Sequence, residues 1–173
     1  MQKNRIIYFS RVESPVGPLT LAASEKGLYG LHFHGHLPAR ADDEVWVEDR
    51  DHVRTYEEAL ACYFRGELRE FDFPLDLRGT PFQIRCWEAL RKIPYGQTCS
   101  YADIAREIGS PRGFRAVGQA NHNNPISIVV PCHRVVGSGG SLTGYGGGLE
   151  IKEKLLRLEA TQQALQFSLS AAV

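Results

Sequence analysis

The sequence predicts an α+β chain in two parts: a small α/β domain over residues 1–78, then a helix-turn-helix domain over 79–160, closed by a tail over 161–173. Three observations predict it. β-prone, alternating segments fill the first 36 residues. Helix start signals and helical spacing take over at Thr80. The charge changes sign at the same place: residues 1–78 hold 10 Lys/Arg and 14 Asp/Glu, a net of −4, and residues 79–135 hold 7 and 3, a net of +4. A basic segment behind an acidic one suggests that the second part faces an anionic partner.

In chain order, Ile6–Phe9, Leu19–Ala23 and Gly27–Phe33 read as strands, with a Pro/Gly turn at 14–18. His32, His34 and His36 would share one face if that last strand continued, a weak metal site at most, and a turn at Gly35 is the reading preferred. Residues 38–51 are acidic and loop-like, with room for a short helix. Val53–Phe64 carries Leu60, Ala61 and Phe64 at helical spacing, and Glu70–Leu77 alternates as a strand would. Thr80 followed by Pro81 is a helix start, and Phe82, Cys86, Trp87 and Leu90 form its apolar stripe. Ser100 caps a second short helix from Tyr101 to Ile108, with Asp103 placed for a capping box. After the Gly109–Gly113 turn a third helix runs from Phe114 to His122, so the pair matches helix-turn-helix geometry, with an ordinary helical hairpin as the competing reading. Residues 137–148 are glycine-rich, suited to close backbone approach or to a wing, and hold no phosphate-loop motif. A last helix is expected over Leu149–Leu158, with Ile151, Leu155 and Leu158 inward, and the uncharged tail beyond it reads as frayed or loosely helical.

Ile128–Val136 (IVVPCHRVV) concentrates the chemistry. The β-branched run reads as a buried strand that ends in a cysteine beside a histidine and an arginine. Cationic neighbours favour the thiolate, which is the nucleophilic form of cysteine. A plain buried cysteine in a strand is the competing reading, since strand neighbours point to opposite faces. The four cysteines, Cys62, Cys86, Cys99 and Cys132, are scattered singly, as reduced cytoplasmic thiols are. No apolar run reaches membrane-spanning length, and the N-terminal residues carry no secretory pattern, so a cytoplasmic location is expected.

Taken in order, Thr80-Pro81-Phe82-Gln83, Trp87, Ile93-Pro94-Tyr95-Gly96, Ser100-Tyr101, Arg115-Ala116-Val117-Gly118, Asn124-Pro125, Val130-Pro131-Cys132-His133-Arg134 and Leu155–Glu159 closely resemble the O6-alkylguanine-DNA alkyltransferases. The match covers residues 80–159 strongly and residues 1–78 loosely. The resemblance implies a ribonuclease H-like N-terminal sheet domain before a winged helix-turn-helix domain. It implies direct-reversal DNA repair: an alkyl group passes from O6 of guanine, and less readily O4 of thymine, irreversibly onto the protein's own cysteine. Carried over residue by residue, it makes Cys132 the acceptor, His133 the proton relay through a water and Glu159 the carboxylate behind it. Asn124 becomes the brace of the site, and Tyr101 the phenol that holds and protonates the base. It puts Arg115 in the base stack, with Ala116, Gly118 and Ser138 against DNA and Val135, Tyr145 and Gly146 in the base pocket. Double-stranded DNA bound through its minor groove with base flipping is the implied partner of a monomer, with no cofactor and no metal. Two positions depart: Gly146 stands where some relatives have serine, and Lys154 where many have tryptophan.

The chemistry fits the residues. Displacement of guanine from a saturated carbon needs an activated sulfur and a proton for the leaving base. Plainer roles exist for each residue: a solvated helix arginine at 115, core packing at Tyr101, an Asn-Pro turn at 124, a surface carboxylate at 159. Two other functions compete. A non-catalytic module recognising alkylated DNA would have no use for Cys132, and a winged-helix regulator would give Pro-Cys-His-Arg and Glu159 no task.

Overall fold

The computed structural model describes residues 4–170, with side chains to residue 165. It is mixed α+β. One compact unit runs to Arg78 and takes in Pro125–Ser127, and the other holds Gly79–Asn124 and resumes at Ile128. Among the described residues no helix is long and apolar enough to cross a membrane.

The first unit is a four-stranded sheet in the order β3-β2-β1-β4, built from β1 (Arg5–Val12), β2 (Leu19–Ser24), β3 (Gly27–Phe33) and β4 (Glu44–Glu48). β1, β2 and β3 pair antiparallel, whereas β4 joins β1 in parallel, with Ile6 opposite Val45. Helix α1 (Arg50–Arg65) packs across β1 and β2 through Val53, Leu60 and Tyr63. Ile7, Leu19, Leu21, Leu28 and Leu31 are fully buried in this unit.

Three sequence expectations change here, and the turn expected at Gly35 is met. The acidic stretch 38–51 is not all loop: Glu44-Val45-Trp46-Val47-Glu48 alternates well enough to complete the open edge of β1. Helix α1 begins three residues earlier than Val53, because the Asp49 carboxylate caps the amides of Asp51 and His52. Glu70–Leu77 makes no strand, only a single bridge of Leu28 to Leu75, since Pro74 offers no N–H to a ladder. Strand β3 stops at Phe33, and His34 (φ 60°) and Gly35 (φ 65°) turn the chain, so only His32 lies on the strand. Among the described residues no group of three His, Cys, Asp or Glu side chains could hold a metal ion.

The second unit begins with α2 (Pro81–Leu90), whose Thr80 and Gln83 form a reciprocal capping box. Its Trp87 donates from Nε1 to the Ala120 carbonyl at 2.9 Å. Next come β5 (Cys99–Ser100), α3 (Tyr101–Glu107), capped by Ser100 and Asp103, and α4 (Phe114–His122). Helices α3 and α4 pack together across the turn at Gly109, which sits at φ 71°. The two-residue β6 (Val135–Val136) lies parallel to β5. Helix α5 (Leu149–Ser170) closes the unit. It does not end at Leu158: the uncharged residues 161–170 continue it, as no Gly or Pro stops them. The last three residues of the expected tail lie outside the described residues.

The run before Cys132 is also not a strand. Ile128 adopts φ 70° and the chain turns, and Cys132–Arg134 form a single turn of 3₁₀ helix. A β-branched residue in that region costs on the order of 1–3 kcal/mol, so surrounding contacts must hold it there. Ile128 is itself 1% exposed, packed on all sides.

Candidate active site

The turn at Ile128 and the 3₁₀ turn after it put Cys132 under the end of α4. Asn124, just past that helix, donates its side-chain amide to the Val130 carbonyl at 2.8 Å and to Cys132 Sγ at 3.0 Å. One amide thus spans the turn and touches the sulfur. Tyr145, in the glycine-rich segment, also acts to favour ionisation of the sulfur. Cys132 is 4% exposed. Burial pushes its thiol up to about 11, against the pull of Asn124, of the Lys152 charge and of Tyr145. The sequence suggested a thiolate at a strand end; the site instead holds a neutral thiol on a turn.

His133 is fully buried. Its Nε2 lies 2.8 Å from Glu159 Oε1. Burial lowers the imidazole pKa, and the hydrogen bond and charge of Glu159 only partly offset that. A carboxylate can only accept, so neutral His133 carries its proton on Nε2 and leaves Nδ1 as a base. That Nδ1 is buried and has no hydrogen-bond partner among the described residues.

Glu159 reaches the site from α5 and is fully buried. It accepts from Arg134 Nε at 2.9 Å and Nη2 at 3.0 Å, and from the Gly96 amide at 3.0 Å. Burial alone would push its carboxyl up; His133 and Arg134 together hold it well below the usual carboxylate range. Arg134 also donates from Nη1 to the Ile93 carbonyl at 2.7 Å and lies over the Tyr95 ring. The buried charge is therefore matched inside a ring of fixed donors, the condition under which a buried ion pair is tolerated.

The remaining residues singled out from the sequence divide between a cavity and the surface. Tyr101 opens α3, and its phenol accepts from Thr143 Oγ1 at 3.2 Å. A cavity of about 360 Å³ is lined by Tyr101, Phe114, Gly118, His122, Thr143 and neighbouring glycines. Arg115 and Ala116 are exposed on α4, and Gly118 faces the Tyr101 ring. The Arg115 guanidinium lies 5.8 Å from the centre of the Phe114 ring. Ser138 is exposed at the start of a short 3₁₀ turn. Val135 is fully buried in β6, and the Tyr145 ring stands edge-on to His133 at 6.5 Å. A side chain at Gly146 would meet nothing within 4 Å, so the serine of some relatives would fit. Lys154 pairs with Glu150 on the exposed side of α5.

Sequence reasoning gave Lys152 no role, and gave Arg134 only that of a cationic neighbour of Cys132, whereas the structure pairs it with Glu159. Lys152 is fully buried, and its Nζ donates to the Val135 and Thr143 carbonyls at 2.6 and 2.9 Å. A signal was present: Lys152, Leu155 and Glu159 are spaced along one inward face of α5.

The family described as 6-O-methylguanine DNA methyltransferase matches in two parts, its ribonuclease-like domain at residues 7–77 and its DNA binding domain at 81–161. A methylated-DNA--protein-cysteine methyltransferase of Methanosarcina acetivorans is 48% identical over 155 residues, covering 90% of this chain and 99% of the relative. One of Mycolicibacterium paratuberculosis is 51% identical over 156 residues, covering 89% and 93%. Among solved structures, Mycobacterium tuberculosis OGT in complex with DNA matches with a TM-score of 0.83 and 49% identity, covering 90% of this chain and 94% of that one.

Proposed function

Since the chain belongs to the 6-O-methylguanine DNA methyltransferase family, we propose that it repairs alkylated DNA by moving the alkyl group from O6 of guanine, and less readily O4 of thymine, onto Cys132, once per molecule. The observation that carries this reading is the buried pair of hydrogen-bonded units, Asn124 on Cys132 and His133 on Glu159, on adjacent residues of one turn.

His133 Nδ1 takes the Cys132 thiol proton through a water. The imidazolium formed is stabilised by Glu159, whose charge is already in place. The sulfur then attacks the alkyl carbon: the S–C bond forms, the C–O6 bond breaks, and the electron pair stays on the guanine. The Tyr101 phenol donates a proton to the departing base and is later re-protonated from solvent. A thioether is left on Cys132 and an intact guanine in the DNA. The thioether has no leaving group of comparable quality, so the protein is consumed.

A base within a duplex must leave the stack to reach a sulfur 4% exposed, at a cost of a few kcal/mol. Exposed Arg115 would fill the gap. The small residues Ala116 and Gly118 let α4 approach the minor groove closely, and Ser138 would meet the backbone. Val135, Tyr145 and Gly146 would border the flipped base. A cytoplasmic monomer is part of the same reading; all four cysteines are free thiols, which suits a reducing compartment.

The test is mass spectrometry after incubation with duplex DNA carrying O6-methylguanine. The Cys132 peptide should gain about 14 Da, the mass of one CH₂ placed on the nucleophile. Cys132→Ser should gain nothing while keeping near-normal DNA affinity. An unmodified wild-type peptide, or a gain elsewhere, refutes the reading.

A further inference from the structure

Thr143, in the glycine-rich segment, reaches α3 through its side chain. Its Oγ1 donates to the Tyr101 phenol oxygen at 3.2 Å, and both residues line the cavity of about 360 Å³. An exposed threonine among glycines is free to turn, but two further contacts hold this one. Its carbonyl accepts from Lys152 Nζ at 2.9 Å. Its methyl lies close to Gly137, where a Cβ would stand 3.3 Å from Thr143 Cγ2. With backbone and methyl placed, a β-branched side chain has little rotamer freedom left, and the hydroxyl meets the phenol. Tyr101 is held in turn. It opens α3 behind the Ser100 cap, and its ring lies beside α4, where a Cβ at Gly118 would stand 3.8 Å from Cε1. A phenol oxygen can accept one hydrogen bond while donating its own hydrogen. Since the Tyr101 oxygen accepts from Thr143, its hydrogen is free to turn into the cavity.

We propose that Thr143 is a positioning residue for proton donation by Tyr101: its hydroxyl aims the phenol hydrogen at the base in the cavity and stabilises the oxygen once that proton has gone. When the proton passes to the departing guanine, the O–H electron pair stays on the phenol oxygen. The phenolate then sits beside a donor already directed at it, and solvent later returns the proton. A hydrogen bond to a charged oxygen is roughly twice as strong as one between neutral groups. A base seated in the cavity also shields this exposed pair from water, so the bond strengthens at the moment the reaction calls on it. The proposal rests on the transfer reaction proposed above and adds a residue on its leaving-group side. It also gives the glycine-rich segment a part in the chemistry as well as in admitting the base.

The experiment follows single-turnover transfer from duplex DNA carrying O6-methylguanine, with protein saturating the DNA and affinity read separately by titration. Thr143→Val keeps the shape and removes the donor. It should slow transfer roughly tenfold, the low end of what a hydrogen bond to a charged group contributes, with DNA affinity and melting temperature near wild type. Thr143→Ser should regain most of the rate, and Thr143→Ala should match Thr143→Val. Tyr101→Phe should be slow as well, and Thr143→Val added to it should cost nothing further, because the hydroxyl acts through the phenol. Wild-type speed in Thr143→Val, Thr143→Ala or Tyr101→Phe overturns the proposal. So does a Thr143→Ser variant no faster than Thr143→Ala, or a second loss of the same size in the double variant. Should Thr143→Val fail to fold, the comparison of Thr143→Ala with Thr143→Ser decides. A wild-type protein that leaves Cys132 unmodified strikes the proposed function and this inference together, whereas wild-type transfer that ignores the Thr143 hydroxyl strikes this inference alone.

Discussion

Asn124 uses one amide group for two contacts, and both matter to the sulfur. The bond to the Val130 carbonyl holds the turn that begins at Ile128, and the bond to Sγ favours ionisation of a thiol that burial otherwise keeps protonated. Asn124→Ala would strand a buried carbonyl, at a cost of about 1–3 kcal/mol, and remove a donor from the nucleophile. The expected result is a lower melting temperature together with slower single-turnover transfer at neutral pH, whereas DNA affinity stays near normal. Transfer at the wild-type rate in the folded variant would free Asn124 from the chemistry. His133 shows the same economy: Glu159 fixes its tautomer, and Arg134 offsets the charge that Glu159 brings into the interior.

Among the elements, α4 is where stability and function can be separated. Gly118 has ordinary helical backbone, and a Cβ there would sit 3.8 Å from the Tyr101 ring, an unstrained contact. Gly118→Ala should therefore stabilise the protein by up to about 1 kcal/mol through helix propensity. If α4 lies in a minor groove, the same methyl should weaken DNA binding. A variant that gains stability and binds duplex DNA as tightly as the wild type would move the groove contact off this face. Strands β1–β3 and helices α2–α4 were legible because alternation and capping are local signals. Strand β4 was not, because its acidic flanks hid five alternating residues whose partner, β1, is nearly forty positions away. The IVV run misled for the opposite reason: β-branched residues favour strands, but Pro125 and Pro131 bracket it and Asn124 claims the Val130 carbonyl. Cys132, His133, Asn124 and Glu159 were legible only as a pattern of spacings. Lys152 and the pairing of Arg134 with Glu159 were not, because a basic residue reads as solvated until the structure buries it.

For the whole molecule, acid is the condition to which the fold is exposed. Burial lowers His32 to about 4 from an ordinary value of 6.5, and His133 moves in the same direction. The unfolded chain therefore binds these protons first as pH falls. The stability that depends on neutral His32 is complete above about pH 6.5 and is lost between there and pH 4. By pH 5 the loss from His32 should be about 2 kcal/mol, read as a lower urea midpoint, and His32→Gln should flatten the curve over this range. A wild-type midpoint that does not move between pH 7 and pH 5 would show His32 to be hydrated. The resting state of Cys132 has a further consequence. Peroxide attacks the thiolate, and a sulfur held as a buried thiol is a poor target for it. A protein that acts once must keep its sulfur reduced for as long as it waits. Brief exposure to hydrogen peroxide should leave most of the transfer capacity intact while an exposed, low-pKa cysteine of a redox sensor is converted to sulfenic acid. The protonation that slows the reaction at rest is, on this account, what gives each molecule its shelf life.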